Sequence, residues 1–292
     1  MCKTPSEKIK AKIIALDMDD TLLKEDLSIS DYTVNVLQKA VQAGIYTVSV
    51  LQRAAEMGIY LVICSGRTEN GILPYVRRLE IAGKEAGRYL ISQNGSCITD
   101  LHLRKPIFQH FVPKEVLLKA NKLAADFGLF SEVYDASTIY VPEDNEWARI
   151  DVNLCGLKMC IIEDYEKFLE KEHPKMLIPG EPEKILELQT VLKNELGDKA
   201  TIFTSKPYFL EILPKDWGKG EAVLWLADYL GIPKENTMCF GDSMNDESMF
   251  THVGTGVAMC NGLEHIKNIG KYVTEFSNEE DGVAHFIEKW VL

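Results

Sequence analysis

Apolar positions along the chain occur as short continuous runs that alternate with longer amphipathic stretches. Between the runs, apolar residues recur with helical spacing, for example over Gly220–Leu230 and Asp246–His252. Alternation of this kind is typical of an α/β fold built on a mostly parallel, doubly wound sheet. The pattern predicts six strands of that sheet: Ile9–Leu16, Ile59–Cys64, Arg88–Ser92, Thr237–Phe240, Gly256–Met259 and Lys271–Thr274.

The middle of the chain has a different pattern, in which two strong helices accompany hairpin-like strands. The helices are Pro113–Phe127 and Glu183–Leu196. Because 292 residues exceed one comfortable core, we interpret 111–213 as an α+β unit inserted into a core formed by 1–110 and 214–292. One continuous domain with long excursions is the alternative. The predicted strands of the insertion are Thr138–Val141, Leu157–Ile162, Lys175–Ile178, Thr201–Thr204 and Phe209–Leu213.

A tandem duplication lies within the first core segment. Residues 33–46 read TVNVLQKAVQAGIY, residues 47–60 read TVSVLQRAAEMGIY, and nine of the fourteen positions are identical. Fourteen residues make two heptads, so one continuous helix could keep its apolar face through both copies. Gly44 and the run 47–50 weaken a helix at the junction. We expect an elongated or broken helix after the first strand; the alternative is a tolerated duplication without a function.

Composition and charge narrow the functional classes. The formal net charge of -12 disfavours anionic partners, so we expect neither nucleic acid nor a membrane surface as a partner. The N-terminal residues contain no apolar signal region, and the apolar runs are too short to span a bilayer, so we expect a cytoplasmic protein. A phosphorylated substrate would need a metal ion or a local group of cations to offset the negative charge.

Three carboxylates follow the first predicted strand within four residues, at Asp17, Asp19 and Asp20. Like charges this close at the end of a buried strand are unfavourable unless a cation lies among them, and carboxylate oxygens suit Mg²⁺. An Asp carboxylate can also attack phosphorus. In an extended chain Asp17 and Asp19 point to the same side. A solvated acidic turn is the alternative for this motif alone, whereas an EF-hand does not fit because its sixth position is Leu22.

Two further motifs could bind an anion. Ser65 and Gly66 directly follow the strand that ends at Cys64, where a hydroxyl and free backbone N–H groups can hold a phosphate. A simple helix cap is the alternative. Lys219 lies between two glycines, which leaves its side chain little steric obstruction, although a Walker A loop is absent. Each of these motifs is weak by itself.

A fourth motif, with Asp242, Asn245 and Asp246, follows the predicted strand Thr237–Phe240. The carboxyl ends of parallel strands share one edge of a sheet, where α/β proteins bind ligands. The four motifs together would supply a nucleophile, a general acid, a metal site and phosphate donors, which predicts a catalytic site. Its residues would be Asp17, Asp19, Ser65, Gly66, Lys219, Asp242, Asn245 and Asp246.

The order of these motifs resembles that of the haloacid dehalogenase superfamily. The shared features are DMDDT, CSGR, a Lys followed by Gly, and GDSMND. The run Ile91–Gly95 and the C-terminal Glu280–Val283 are similar to the Cof-type branch of that superfamily, which carries a C2-type cap. The resemblance extends over essentially the whole chain. It implies a Rossmann-like core with an α+β cap domain inserted after the third core strand.

The resemblance also implies a role for each matching residue. Asp17 would be the nucleophile that forms an aspartyl-phosphate, and Asp19 would protonate the leaving oxygen and then activate water. The residues implied to hold Mg²⁺ are Asp17, Asp19 through its backbone carbonyl, Asp242 and, in support, Asp246. The residues implied to bind the phosphoryl group are Ser65, Gly66, Lys219 and Asn245.

The implied activity is a Mg²⁺-dependent phosphatase acting on a small phosphorylated metabolite, either a sugar phosphate or a nucleotide-related compound. A phosphomutase or phosphotransferase using the same aspartyl-phosphate is one alternative, and a non-catalytic regulatory binding protein is another. We expect a monomer or a homodimer. Cap residues should choose the substrate. The candidates are Tyr134, Trp147, Arg149 and Lys158.

Overall fold

The computed structural model describes residues 3–42, 59–80 and 87–292. Its strands are β1 (Ile13–Leu16), β2 (Tyr60–Cys64), β3 (Tyr89–Ser92), β4 (Cys97–Asp100), β5 (Lys105–Gln109), β6 (Glu132–Tyr134), β7 (Thr138–Val141), β8 (Lys158–Ile161), β9 (Met176–Pro179), β10 (Ala200–Lys206), β11 (Phe209–Pro214), β12 (Thr237–Gly241), β13 (Thr255–Ala258) and β14 (Tyr272–Val273). Its helices are α1 (Asp31–Gln42), α2 (Glu69–Arg78), α3 (Lys114–Asp126), α4 (Glu146–Cys155), α5 (Tyr165–Phe168), α6 (Pro182–Leu196), α7 (Lys219–Tyr229), α8 (Glu247–His252), α9 (Glu264–Ile269) and α10 (Gly282–Trp290).

The first sheet places β1 at its centre, between β12 and β2. Its strand order is β14-β13-β12-β1-β2-β3-β4-β5, and neighbours from β14 to β3 are parallel. Ile14 and Leu16 of β1 pack in the same cluster as α1 and α10, whereas Ile13 and Ala15 pack with α7. Helices therefore cover both faces of the central strand, which confirms the predicted α/β, doubly wound, Rossmann-like fold.

The second sheet, in the order β10-β11-β9-β6-β7-β8, is mostly antiparallel. Its apolar face packs against α3 and α6, which contribute Leu117, Leu188 and Leu192 to the same cluster as Ile178 and Ile212. This arrangement has the α+β character predicted for the insertion. We retain 111–213 as the proposed extent of the cap and 1–110 with 214–292 as the proposed core. None of the described helices is long and apolar enough to cross a membrane.

Several elements differ from the sequence-based expectation. Strand β1 begins at Ile13 rather than Ile9, whose backbone N–H instead bonds to the carbonyl of Trp290. Strands β4 and β5 and helix α4 were not predicted. Strand β5 is an exposed edge strand that contains Pro106, so it lacks the buried apolar pattern on which the prediction relied.

The duplicated segment is described only at its two ends. Helix α1 contains residues 33–42 of the first copy, and β2 begins at Tyr60, the last residue of the second copy. The predicted elongated or broken helix through 43–58 lies outside the described residues.

Candidate active site

Asp17 and Asp242 lie at the tips of neighbouring strands. Leu16 is paired in register with Phe240, and the N–H of Asp17 donates to the carbonyl of Phe240 at 3.1 Å. The chain then turns sharply, with Asp20 in the left-handed region at φ 61°. Parallel pairing of β1 and β12 therefore holds the two carboxylates at the same edge of the sheet.

Lys219 begins α7 and is fully buried beneath this edge. Its Nζ donates to Asp17 Oδ1 at 2.5 Å and to Asp246 Oδ1 at 2.6 Å. A β-carbon at Gly220 would lie 2.1 Å from the carbonyl oxygen of Ser248, so the glycine allows α7 to start directly against this segment. The glycines flanking Lys219 thus serve close packing and bring an ammonium group under two carboxylates.

Asp17, Asp242 and Asp246 form a compact carboxylate cluster, with one oxygen of each within 4.8 Å of the others. Asp242 accepts a hydrogen bond from Thr21 Oγ1 at 2.7 Å. Asp246 uses Oδ1 for Lys219 and Oδ2 for the backbone N–H groups of Asp242 and Ser243, at 2.9 and 3.1 Å. The cluster is therefore held by a set of defined hydrogen bonds rather than left to solvent.

Burial and mutual repulsion dominate the electrostatics of the cluster. Burial, with the nearby Asp246, raises the pKa of Asp17 to about 7, against the lowering effect of Lys219. Burial and the charge of Asp17 raise the pKa of Asp242 well above its usual range. Crowded, buried carboxylates with hard oxygen atoms are the donor set that suits Mg²⁺. The residues present therefore fit the predicted metal.

Asp19 points away from the cluster and pairs with Arg67. Arg67 Nε donates to Asp19 Oδ2 at 2.9 Å, and Nη2 donates to Oδ1 at 2.6 Å. The Arg67 side chain is 8% exposed, whereas that of Asp19 is 36% exposed. The Asp19 carboxylate is thus fixed at the open side of the site, and only the backbone carbonyl of Asp19 remains a candidate metal ligand.

The predicted phosphate-binding residues lie beside the carboxylates. Ser65 is buried and its Oγ accepts from the N–H of Arg67 at 3.1 Å. Gly66 lies close to Asn94, since a β-carbon at Gly66 would be 3.0 Å from Asn94 Oδ1. Asn94 Oδ1 accepts a hydrogen bond from Asn245 Nδ2 at 3.4 Å. The structure therefore brings the loops after β2, β3 and β12 together above Asp17.

The family profile of haloacid dehalogenase-like hydrolases matches residues 14–49 and 46–287. The chain belongs to this family. Its two matched segments overlap at 46–49, where the two copies of the duplication meet. The match confirms the resemblance carried by the four motifs.

Individual relatives of the hydrolase align over nearly its whole length. A protein of Streptococcus pyogenes serotype M6 is 31% identical over 283 residues, which are 96% of this chain and 98% of that protein. The 5-amino-6-(5-phospho-D-ribitylamino)uracil phosphatase of Bacillus subtilis is 29% identical and covers 95% of this chain and 97% of its own. A solved haloacid dehalogenase-like hydrolase from Bacteroides thetaiotaomicron superposes with a TM-score of 0.81 at 29% identity, covering 96% and 99% of the two chains.

The hydrolase has a cavity of about 480 Å³ that is lined from both sheets, and most of the predicted site residues line it. The predicted residues that line it are Asp17, Asp19, Ser65, Gly66, Asp242 and Asn245. Lys219 and Asp246 do not line the cavity; they lie buried beneath it, where they contact Asp17 and the backbone of Asp242.

The four predicted cap residues do not line this cavity. Tyr134 is buried in the cap and bonds to Asp151, while Arg149 pairs with Asp144 at the surface. Trp147 and Lys158 are likewise outside the cavity wall. The cap residues that line the cavity with a charge are Asp151, Lys175, Lys206 and Glu211.

Sequence reasoning missed Arg67, Asn94 and the charged cap residues as parts of the site. Arg67 directly follows Gly66, so its position beside the motif was a usable signal. Glu211 was also visible, because it is the one charged residue in the otherwise apolar run Phe209–Pro214. A charge inside a predicted buried strand requires a partner, and the partner of Glu211 is Lys175 at 3.1 Å.

Proposed function

We propose that this hydrolase is a Mg²⁺-dependent phosphatase that acts on a small phosphorylated metabolite through an aspartyl-phosphate. The observation that carries the proposal is the position of Asp17, which lines the cavity while sharing a cluster with Asp242 and a hydrogen bond with Lys219. The name of the Bacillus subtilis relative, a phosphatase of a phosphoribitylamino-uracil, supports a sugar phosphate or nucleotide-related substrate.

The metal would be held by the carboxylates of Asp17 and Asp242 and by the backbone carbonyl of Asp19. Asp246 would support the site rather than bind directly, because both of its oxygens are already hydrogen-bonded. When bound, Mg²⁺ would supply positive charge that offsets the carboxylates and the phosphoryl oxygens of the substrate.

Asp17 is arranged for attack on phosphorus. Its Oδ1 accepts from Lys219, whereas its Oδ2 has no hydrogen-bond partner within the described ranges. In the proposed first step, a bond forms between Asp17 Oδ2 and phosphorus while the bond from phosphorus to the leaving oxygen breaks. Asp19 would donate a proton to that leaving oxygen, so the alcohol departs neutral and Asp19 is left as the carboxylate that Arg67 holds.

The second step returns Asp17 to its starting state. Asp19, now ionised, accepts a proton from a water molecule whose oxygen attacks phosphorus, and the bond to Asp17 Oδ2 breaks. Arg67 fixes the Asp19 carboxylate with two hydrogen bonds, which keeps it on the leaving-group side of the cavity. Ser65, Gly66 and Asn245 lie where they could hold the phosphoryl oxygens, and Lys219 adds positive charge beneath Asp17.

Phosphate release from 4-nitrophenyl phosphate tests the proposal directly. With Mg²⁺ and no bisphosphate activator, we expect release by the unaltered protein and a loss of at least about 10³-fold in Asp17→Asn. Asp31→Asn is the matched control, because Asp31 is exposed on α1 and does not line the cavity. A fully active Asp17→Asn variant would refute the mechanism. Turnover that appears only with an added bisphosphate would indicate a phosphomutase.

A further inference from the structure

The cap wall of the cavity carries a buried ion pair that the proposed chemistry does not use. Lys175 directly precedes β9, and Glu211 lies on the neighbouring strand β11. Their side chains are 7% and 5% exposed, and Lys175 Nζ lies 3.1 Å from Glu211 Oε2. Because an apolar pair of similar size is often at least as stable as a buried ion pair, the pair calls for a functional explanation.

Each member of the pair keeps an unused hydrogen-bonding group. Glu211 Oε2 accepts from Lys175 and from Asn94 Nδ2, the latter at 2.7 Å. Glu211 Oε1 has no partner in the part of the chain that the structure describes, and Lys175 Nζ donates only one hydrogen bond there. Both residues line the cavity. The wall therefore presents an acceptor beside a donor.

A second acid on the same wall, Asp151, adds formal negative charge to this end of the cavity. The single hydroxyl hydrogen of Tyr134 is shared between Glu132 Oε1 and Asp151 Oδ2, each at 2.8 Å. Burial and the adjacent Asp151 raise the pKa of Glu132 well above its usual range, which favours the protonated form of Glu132.

The charged side chains on this wall therefore disfavour a second phosphate group of the substrate at the cap end of the cavity. Asp151 and Glu211 are two negative groups that face the single ammonium of Lys175. The other cap cation on the wall, Lys206, already lies 3.5 Å from Asp20. A neutral group that both donates and accepts hydrogen bonds matches this wall better than an anion does.

We infer that Lys175 and Glu211 bind adjacent hydroxyl groups of the leaving group, so that the preferred substrate is the monophosphate of a polyol or sugar. One hydroxyl donates to Glu211 Oε1 and its neighbour accepts from Lys175 Nζ. This inference rests on the proposed phosphatase function. Asn94 connects two residues that line the cavity, because it donates to Glu211 through Nδ2 and accepts from Asn245 through Oδ1.

The test compares two esters that differ only in hydroxyl groups, D-ribitol 5-phosphate and n-pentyl phosphate. For the unaltered protein we expect kcat/KM to be at least about 10-fold higher for the ribitol ester, since each hydroxyl contacts a charged partner. Glu211→Gln should lower kcat/KM for the ribitol ester about 10-fold or more and change that for pentyl phosphate less than about 3-fold. Glu195→Gln is the matched control, a cap glutamate that pairs with Lys119 outside the cavity.

A second variant keeps the test informative if Glu211→Gln fails to fold. Lys175→Met combined with Glu211→Leu removes both charges of the pair, while Asp151 keeps its hydrogen bonds from Tyr134 and Cys155. We expect this variant to melt cooperatively and to lose the preference for ribitol phosphate. An equal loss on both esters, or no loss on either, would overturn the inference. If the unaltered protein hydrolyses both esters at the same rate, only the hydroxyl site fails. If it hydrolyses neither ester nor 4-nitrophenyl phosphate, the proposed function fails.

Discussion

At the scale of single residues, the site depends on two cations that hold carboxylates in fixed places. Lys219 balances Asp17 and Asp246 from below, and Arg67 holds Asp19 from the side. The two pairings separate the carboxylates by task. In the proposed mechanism, Asp17 attacks from its place beside Asp242, whereas Asp19 donates its proton from the more exposed side of the site.

Loss of Lys219 should destabilise the fold as well as the reaction. Lys219→Met leaves Asp17 and Asp246 buried without a counter-charge, so we expect the free energy of unfolding to fall by about 3–5 kcal/mol in urea titrations without Mg²⁺. The folded pKa of Asp17 is already raised to about 7, above its ordinary 3.8. Because the pKa of Asp17 is higher in the folded chain than its ordinary value, the free energy of unfolding falls as the pH rises from 5 towards 7. The variant should therefore lose more stability at pH 7 than at pH 5.

The matched control for Lys219 is Lys39→Met, in which an exposed ion pair with Glu288 is lost. Such a surface pair contributes little, so we expect a change below about 1 kcal/mol at either pH. Equal effects of the two substitutions would show that Lys219 is not the counter-charge of the cluster.

The geometry of the Arg67 guanidinium should affect turnover more than stability. Arg67→Lys keeps the charge but removes one of the two hydrogen bonds that orient Asp19, so we expect kcat to fall about 10–100-fold with a smaller change in KM. Steady-state kinetics with a range of leaving groups would measure this. The loss should be greatest for poor leaving groups, which depend most on the proton from Asp19.

The chain offers a close control for this change. Arg149 makes the same two-bond pairing with Asp144, at 2.8 and 2.6 Å, on the exposed surface of the cap. Arg149→Lys should leave kcat within about 2-fold, because an exposed pair contributes little. A similar loss of kcat in both variants would contradict the positioning role of Arg67.

At the scale of elements, the sequence predicts the strands and helices whose buried residues form a regular apolar pattern. It does not predict elements that bury few of their residues. The strands β1, β2 and β12 are covered on both faces, so their residues form continuous apolar runs that are easy to recognise. Strand β5 lies at an exposed edge and helix α4 buries only Ala148 and Asp151, so neither has a strong apolar pattern. Element boundaries that depend on tertiary contacts are also not predictable from the local sequence. Ile9, for example, bonds to Trp290 instead of extending β1.

The core site was predictable for a topological reason, whereas the cap side of it was not. Asp17, Ser65 and Asp242 follow parallel strands, and parallel strands necessarily bring their carboxyl ends to one edge. Lys175 and Glu211 belong to a different sheet, and no local rule states which of its faces meets the core. The sequence indicates the four cap candidates only through their side-chain chemistry, and none of them lines the cavity.

Helix α1 leads to a prediction about the duplication. Deleting 33–46 joins Tyr32 directly to Thr47 and keeps Ser30, whose Oγ accepts from the first turn of the helix. The residues that α1 buries are Thr33, Val34, Val36, Leu37 and Ala40. Their counterparts in the second copy are Thr47, Val48, Val50, Leu51 and Ala54, which are identical at all five positions. The deletion therefore supplies the same apolar face to the same neighbours.

We expect the shortened protein to keep its far-UV circular dichroism per residue, its cooperative unfolding and a kcat/KM within about 2-fold of the full chain. Shortening a connection by fourteen residues costs no closure entropy, so the melting temperature should not fall. The full-length protein measured in parallel is the reference. Unfolding or inactivity of the deletant would show that the duplicated residues do more than repeat the helix.

At the scale of the whole molecule, polar contacts hold the two sheets around one cavity. Asn94 donates to Glu211 of the second sheet, Lys206 lies near Asp20, and Ser243 Oγ donates to the carbonyl of Ser205 at 3.4 Å. The chain around this cavity has a net charge of -12, and the substrate proposed for it is also an anion. The proposed function therefore requires local cations and a divalent ion that offset this negative charge at the site.

Added Mg²⁺ should stabilise the entire fold, and more so at high pH. An ion that binds only the folded chain adds about 2.7 kcal/mol at a 100-fold excess over its Kd, which should raise the melting temperature by several degrees. Between pH 6 and pH 8, Asp17 loses its proton, because its pKa is about 7. This ionisation lowers the free energy of unfolding of the metal-free protein, and it also removes the proton that competes with the metal for the Asp17 carboxylate. We therefore expect a larger Mg²⁺-induced shift at pH 8, measured by scanning calorimetry against NaCl of equal ionic strength. Asp242→Asn removes a proposed ligand and should abolish most of the shift; an undiminished shift in that variant would place the ion elsewhere.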